Sequence, residues 1–122
     1  MVKRRLSRSI FVAIEGIAHG ISTERNIKIQ AVIGVLVIIA SLLLRIPKSD
    51  LVIILLVSFL VIICELMNTS LERLMDFLHS EHHEAIRRVK DMLAGAVLLS
   101  ILLAIIIGLI ILLKPTLEFL GF

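Results

Sequence analysis

The chain has 122 residues, 59% of them hydrophobic, a net charge of +3 and a mean hydropathy of +1.10. This composition excludes an ordinary soluble domain and places residues 1–122 in a bilayer as a single domain. The small net charge gives no indication of nucleic-acid binding. The six glycines form no phosphate-cradling loop, so a P-loop nucleotide site is excluded as well.

The first predicted element is an amphipathic helix over about residues 5–22. Apolar residues recur there at steps of three and four, and charged residues occupy the other faces. Such a helix lies on a membrane surface with its apolar side toward the acyl chains. Gly16 and Gly20 leave a groove on it where another helix or a ligand could approach, although helix packing alone explains them equally well.

Three later stretches are long enough to cross a hydrocarbon core about 30 Å thick, which takes about 20 helical residues. They are residues 27–46, 51–77 and 92–113. The short turn at 46–50 makes the first two spans antiparallel neighbours.

The ends of these spans carry capping signals. Thr23 is the expected N-cap of the first span, with Glu24 in its first turn, where a carboxylate also compensates the helix dipole. Compensation of the helix dipole is therefore an alternative to a functional role for Glu24. Ser80 is the expected cap of the third span.

The distribution of basic residues predicts the orientation of the chain. Ten of the thirteen lysines and arginines lie on the side of the N-terminus and of the connection between the second and third spans, counting Lys28 and Arg73 near the ends of spans on that side. By the positive-inside rule, the N-terminus and the longer connection are cytoplasmic. Eight of the ten acidic residues share that side, so it could hold a metal as well as an anion.

Polar residues form a stripe at the end of the second span. Glu65, Asn68, Glu72 and Asp76 fall within about 80° of each other on one helix face. A carboxylate inside a membrane segment is costly and marks a functional site. Desolvation disfavours the charged form of Glu65, which suits a general base acting on a substrate hydroxyl. An intersubunit hydrogen bond that specifies assembly is the alternative role.

Further charged and polar residues lie on the predicted cytoplasmic side: Glu24, Glu81, His82, His83, Lys90 and Asp91. Carboxylates this close together need a compensating charge, and magnesium suits them better than zinc. Magnesium held by one or two carboxylates leaves coordination positions for phosphate oxygens, which suggests a nucleotide. The alternatives are a Lys90–Asp91 pair that only anchors a span at the interface, and a solvated loop at 81–84.

These residues carry a resemblance to a known family. The runs 65–72, 80–84, 90–92 and 96–98 resemble the prokaryotic diacylglycerol kinase family, which includes the undecaprenol kinases. The E-x-x-N-x-x-x-E element at 65–72, joined to a downstream Lys-Asp pair, is quite specific. The layout of one surface helix and three spans is similar too.

The resemblance implies an all-α integral membrane protein, a homotrimeric helical bundle in the bacterial inner membrane with cytoplasmic active sites shared between subunits. It implies ATP- and Mg²⁺-dependent transfer of a phosphate to a lipid hydroxyl. Glu65 would be the general base, with Asn68 orienting groups beside it, and Glu24 and Glu72 would bind magnesium. The other residues that would line the nucleotide site are Arg5, Asp76, Glu81, His82, His83, Lys90 and Asp91.

The identity of the lipid rests on conflicting segments. Residues 80–84 and 90–92 look like the diacylglycerol kinase branch, whereas 23–26 and 94–98 look like the undecaprenol kinase branch. Gln30 stands where the diacylglycerol type is expected to have an acidic residue. We favour diacylglycerol, with undecaprenol as the alternative.

Two functions of other classes also fit part of the pattern. The first is a small proton-coupled exporter, because a single carboxylate in an apolar span is typical of proton relays. This function gives no role to Glu72, Lys90 and Asp91. The other is a noncatalytic assembly subunit in which the stripe only joins helices.

Overall fold

The computed structural model describes residues 2–78 and 83–122, with side chains from residue 5 onward. Within them the chain forms four helices: α1 (Val2–Thr23), α2 (Arg25–Leu43), α3 (Lys48–Leu78) and α4 (Glu84–Phe119). The last three are long and apolar enough to cross a membrane. Helices are the expected solution there because each satisfies its own backbone hydrogen bonds. The predicted all-helical chain with three spans is confirmed; the position of α1 on a membrane surface stays a prediction.

Two helices are longer than the predicted spans. α3 begins at Lys48 and covers about 46 Å, so it reaches well beyond the hydrocarbon core. α4 extends past both ends of the predicted 92–113 and continues through Pro115, although proline lacks the N–H that a helix interior uses. It ends at Phe119 with Leu120 as C-cap, and Gly121 follows with a φ of +88°, which is readily available only to glycine.

The predicted N-cap of α2 is wrong. α1 continues to Thr23, whose hydroxyl donates to the carbonyl of His19 (2.7 Å), so that hydroxyl does not cap α2. The N-cap of α2 is Glu24, in an extended backbone conformation and without a side-chain capping bond. The N-cap of α4 is His83, and the predicted cap Ser80 lies outside the described residues.

The turn between α2 and α3 depends on a strained residue. Arg45 has a φ of +52°, a left-handed conformation that costs a residue with a side chain about 1–2 kcal/mol. The N–H groups of Arg45 and Ile46 bond to the carbonyls of Leu42 (3.2 Å) and Ser41 (3.4 Å), which closes the end of α2. Pro47 follows, and the chain returns as α3 alongside α2.

The helices bury little of their surface. α3 packs against both α2 and α4, and α1 packs against α2. Ile27 and Ile54 are almost fully buried, yet only 11–17% of the most apolar window of each span is buried. Most of the apolar surface therefore faces outward, where lipid or another chain can cover it.

Helix α1 approaches α3 closely at one glycine. A Cβ atom on Gly20 would lie 2.7 Å from the Cδ2 methyl of Leu66, so a side chain there would need that leucine to move. The corresponding Cβ on Gly16 would have no neighbour within 4 Å. Gly20 is thus a packing contact, while Gly16 leaves open space.

Candidate functional site

The polar stripe of α3 is graded in exposure. Glu65 and Asn68 are 5% and 8% exposed, Glu72 is half-buried, and the side chain of Asp76 is 64% exposed. Because these residues follow one another along a single helix face, the stripe leads from the packed interior toward water. A group bound at Glu65 and a group bound at Asp76 would meet very different surroundings.

Two buried hydrogen-bond acceptors in the neighbourhood of Glu65 lack a partner among the described residues. Gln30 on α2 donates from Nε2 to Oε2 of Glu65 (3.3 Å). The Oε1 atom of Gln30 and the Oδ1 atom of Asn68 are buried and have no partner among the described residues. Buried acceptors normally have partners, so unpaired ones call for an explanation. A donor such as a substrate hydroxyl would supply what this cluster lacks.

An apolar groove runs from Glu65 along the three spans. Its volume is about 790 Å³, and its walls come from α2 (26–37), α3 (54–65) and α4 (97–116). The stretch of α4 in its wall covers about 28 Å, which is nearly the thickness of a hydrocarbon core. Glu65 and Gln30 lie together at one end, and the rest of the lining is mostly hydrocarbon. The groove therefore suits a long apolar ligand with a polar group at the Glu65 end.

A second cluster joins the junction of α1 and α2 to α3. Nη2 of Arg73 donates to Oε1 of Glu24 (2.5 Å) and to Oγ1 of Thr23 (2.8 Å). Nη1 of Arg73 donates to Nε2 of His19 (3.2 Å). The ion pair is partly exposed, with side-chain exposures of 44% for Arg73 and 34% for Glu24, so water weakens it.

The predicted magnesium ligands fit a divalent cation in their chemistry. Glu24 already attracts a cation, the Arg73 guanidinium. Glu72 precedes Arg73 on α3 and makes no hydrogen bond or ion pair with a described residue. Carboxylate oxygens are the donors that Mg²⁺ prefers, and phosphate oxygens and water usually complete its shell. No group of three or more His, Cys, Asp and Glu side chains suited to a metal exists among residues 2–78 and 83–122.

The predicted nucleotide residues are brought together in part. Lys90 of α4 is ion-paired with Asp76 of α3, so these two lie side by side. Asp91 is exposed on the next position of α4, and His83 is the N-cap of that helix. Glu81 and His82 lie outside the described residues.

Arg5 is separate from this assembly within one chain. It is exposed and forms no ion pair with a described residue. It precedes Gly20, where α1 meets α3, by 15 residues, which is about 22 Å of helix. Among the described residues, no ion pair or side-chain hydrogen bond joins Arg5 to another predicted site residue.

Two residues make contacts that the sequence does not predict. Gln30 departs from the family pattern, yet it contacts Glu65. Arg73 contributes to the positive charge of its side, and it also holds Glu24. Its position directly after Glu72 is the one signal in the sequence. No sequence pattern identifies a partner 49 residues away on another helix.

Comparison with known proteins identifies a family. The family model of prokaryotic diacylglycerol kinase matches residues 11–112, which include every described site residue except Arg5. A diacylglycerol kinase of Synechocystis sp. is 39% identical over 104 residues, 84% of this chain and 59% of that protein. An undecaprenol kinase of Bacillus subtilis is 33% identical over 107 residues, 88% of this chain and 87% of that protein.

A third relative matches a shorter region. A diacylglycerol kinase of Escherichia coli is 45% identical over 47 residues, 38% of each chain. The chain spans about three fifths of the Synechocystis protein's length and most of the Bacillus protein's. From the extent of the family match, the chain belongs to the prokaryotic diacylglycerol kinase family.

Proposed function

We propose that this chain is an ATP- and magnesium-dependent lipid kinase that transfers the γ-phosphate of ATP to the hydroxyl of diacylglycerol, giving phosphatidic acid. Membership of the family supports phosphotransfer. The observation that carries the choice of a lipid acceptor is Glu65, a 5% exposed carboxylate at one end of a long apolar groove. A water-soluble acceptor would have no use for such a groove.

In this proposal Glu65 is the general base. One of its carboxylate oxygens takes the proton of the lipid hydroxyl as that oxygen bonds to the γ-phosphorus. The bond from phosphorus to the β–γ bridging oxygen breaks, and ADP leaves with that oxygen. Asn68, one turn along α3, orients the groups beside Glu65. Phosphoryl transfer gains chiefly from positioning and charge stabilisation, which this fixed arrangement of helices provides.

Glu24 and Glu72 would hold the magnesium ion, which would neutralise phosphate charge. Lys90, next to Asp76, supplies a cation for the nucleotide, and His83 and Asp91 lie near it on α4. Arg5, Glu81 and His82 complete the proposed nucleotide site. The site lies at the cytoplasmic face of a bacterial inner membrane, because that side carries most of the basic residues.

We propose a homotrimer with active sites shared between subunits. Two observations support it: most of the apolar surface of the spans is uncovered in one chain, and Arg5 makes no ion pair with the described site residues of its own chain. Chemical cross-linking of the purified protein in detergent tests this assembly. A single band at three times the chain mass is expected, and a monomer that is fully active contradicts it.

Undecaprenol is the second candidate acceptor. The match to the undecaprenol kinase covers 87% of that protein, against 59% for the Synechocystis diacylglycerol kinase. A groove wall of about 28 Å also exceeds the half-bilayer reach of an acyl chain in one leaflet. Both observations favour a longer lipid, whereas the segments 80–84 and 90–92 favour diacylglycerol.

The deciding experiment offers both lipids to the same enzyme. Purified protein in mixed micelles receives γ-labelled ATP with diacylglycerol and undecaprenol side by side, and the labelled lipids are separated. Label in phosphatidic acid supports the proposal, and label in undecaprenyl phosphate alone selects the alternative. Label in neither lipid, in a preparation that binds ATP, contradicts the lipid kinase.

A further inference from the structure

We infer that Arg73 is an internal counter-ion that competes with the divalent cation for Glu24, so that the metal must displace the guanidinium to reach this carboxylate. The inference rests on the proposed function in one respect, the role of Glu24 as a metal ligand. It goes beyond that function because it concerns what occupies Glu24 before the metal arrives.

The contacts of Arg73 identify it as a specific partner of the α1–α2 junction. A guanidinium only donates hydrogen bonds, and here it finds acceptors at Glu24, Thr23 and His19 within 3.2 Å. Three acceptors of different chemistry fix its orientation. A charge-assisted bond of 2.5 Å to Oε1 of Glu24 is the shortest of the three.

The same carboxylate oxygen cannot serve both cations. A divalent ion bound to Oε1 of Glu24 would lie within a few ångströms of Nη2 of Arg73, and like charges at that distance repel. Binding therefore requires the guanidinium to move away. The apparent affinity for the metal is reduced by the free energy of breaking the Arg73 contacts, as for any site that is competent only part of the time.

The charges of Glu24, Glu72 and Arg73 suggest what such a competing guanidinium does. Glu72 has no partner among the described residues, so the two carboxylates and Arg73 together carry one negative charge. That single charge attracts a free divalent cation weakly. A cation that arrives with nucleotide phosphates brings further ligands and can displace Arg73 more readily. The arrangement therefore favours the metal–nucleotide complex over the free ion.

The size of the effect follows from the exposure of the pair. Both side chains are roughly a third to a half exposed, so water screens the interaction. Removing the guanidinium charge should tighten divalent-cation binding by about three- to ten-fold. A loss of one positive charge anywhere on the chain would give a smaller, general increase.

The test measures Mn²⁺ binding to the full-length protein in detergent without nucleotide, by electron paramagnetic resonance of the free ion. Arg73→Gln is expected to bind Mn²⁺ about three- to ten-fold more tightly than the unchanged protein. Arg73→Lys should stay near the unchanged protein because it keeps the charge. The matched control is Arg88→Gln, which removes the same charge from an exposed arginine paired with Glu84 and should change affinity by less than about two-fold.

A second variant guards against a folding defect in Arg73→Gln. Thr23→Val removes one acceptor of Arg73 and leaves every charge in place, so it should raise Mn²⁺ affinity by a smaller factor. If neither Arg73→Gln nor Thr23→Val exceeds Arg88→Gln, the competition is refuted.

The role of Glu24 as a metal ligand is tested separately from the competition. The double variant Arg73→Gln, Glu24→Gln should lose the gain of the single variant. If the gain persists, the metal binds elsewhere and the assignment of Glu24 as a ligand is wrong. If Glu24→Gln weakens Mn²⁺ binding while Arg73→Gln leaves it unchanged, the ligand assignment stands and only the competition falls.

Discussion

Replacing Glu65 by glutamine should make the protein more stable and nearly inactive. The amide keeps the shape of the side chain and adds N–H donors near Oε1 of Gln30 and Oδ1 of Asn68, two buried acceptors without partners among the described residues. An unsatisfied buried acceptor costs about 1–3 kcal/mol, so satisfying one should raise the free energy of unfolding by about 1–2 kcal/mol. If Glu65 is the general base, as proposed, its loss should lower kcat by about 10²- to 10⁴-fold.

Two measurements on one preparation check this prediction. Unfolding in detergent, followed by circular dichroism, gives the stability, and labelled phosphate transfer gives kcat. Glu65→Met is the matched control, because it removes the charge without adding donors and should gain less stability than Glu65→Gln. A Glu65→Gln protein less stable than the unchanged chain would refute the reasoning about acceptors. Turnover within tenfold of normal would refute the role of Glu65 as base.

Three other changes test separate parts of the structure. Glu72→Gln should weaken Mg²⁺-dependent nucleotide binding by roughly tenfold in a titration, because it removes one of the proposed carboxylate ligands, whereas exposed Glu118→Gln should not. Gly20→Leu should lower the free energy of unfolding by about 1–3 kcal/mol, since its side chain would overlap α3. Gly16→Leu, which meets open space, should not destabilise the fold. Arg45→Gly should raise the free energy of unfolding by about 1 kcal/mol, because glycine adopts its positive φ without strain.

The results that would contradict these predictions are distinct. Unchanged nucleotide affinity in Glu72→Gln would remove it from the ligand set. Equal stability of the leucine variants at positions 16 and 20 would mean that the contact of α1 with α3 is not a close one in solution. A less stable Arg45→Gly would show that the arginine side chain contributes more than its backbone conformation costs.

What could be predicted from the sequence was the periodic part of the structure. The three spans follow from length and hydropathy, and Glu65 and Asn68 share a face because their spacing is helical. These features depend on one helix at a time. The burial of both residues agrees with the cost of a polar group in a membrane segment.

What could not be predicted depends on how helices are rotated and packed against each other. The bond from Gln30 to Glu65 joins two helices, and the bond from Arg73 to Glu24 joins α3 to a helix junction. The N-cap of α2 is displaced from Thr23 because α1 continues one residue further and takes that hydroxyl for its own last turn. Such choices between neighbouring polar groups depend on tertiary contacts that periodicity does not describe.

The groove has a consequence for how the enzyme should be assayed. Its walls are mostly hydrocarbon and it extends along the spans, so the proposed lipid substrate would reach Glu65 from within the two-dimensional membrane phase rather than from bulk solution. Reaction velocity should then follow the mole fraction of the lipid in the micelle and not its molarity. Adding inert detergent at a constant total amount of lipid should slow the reaction by surface dilution, while the dependence on dissolved ATP keeps its ordinary molar scale.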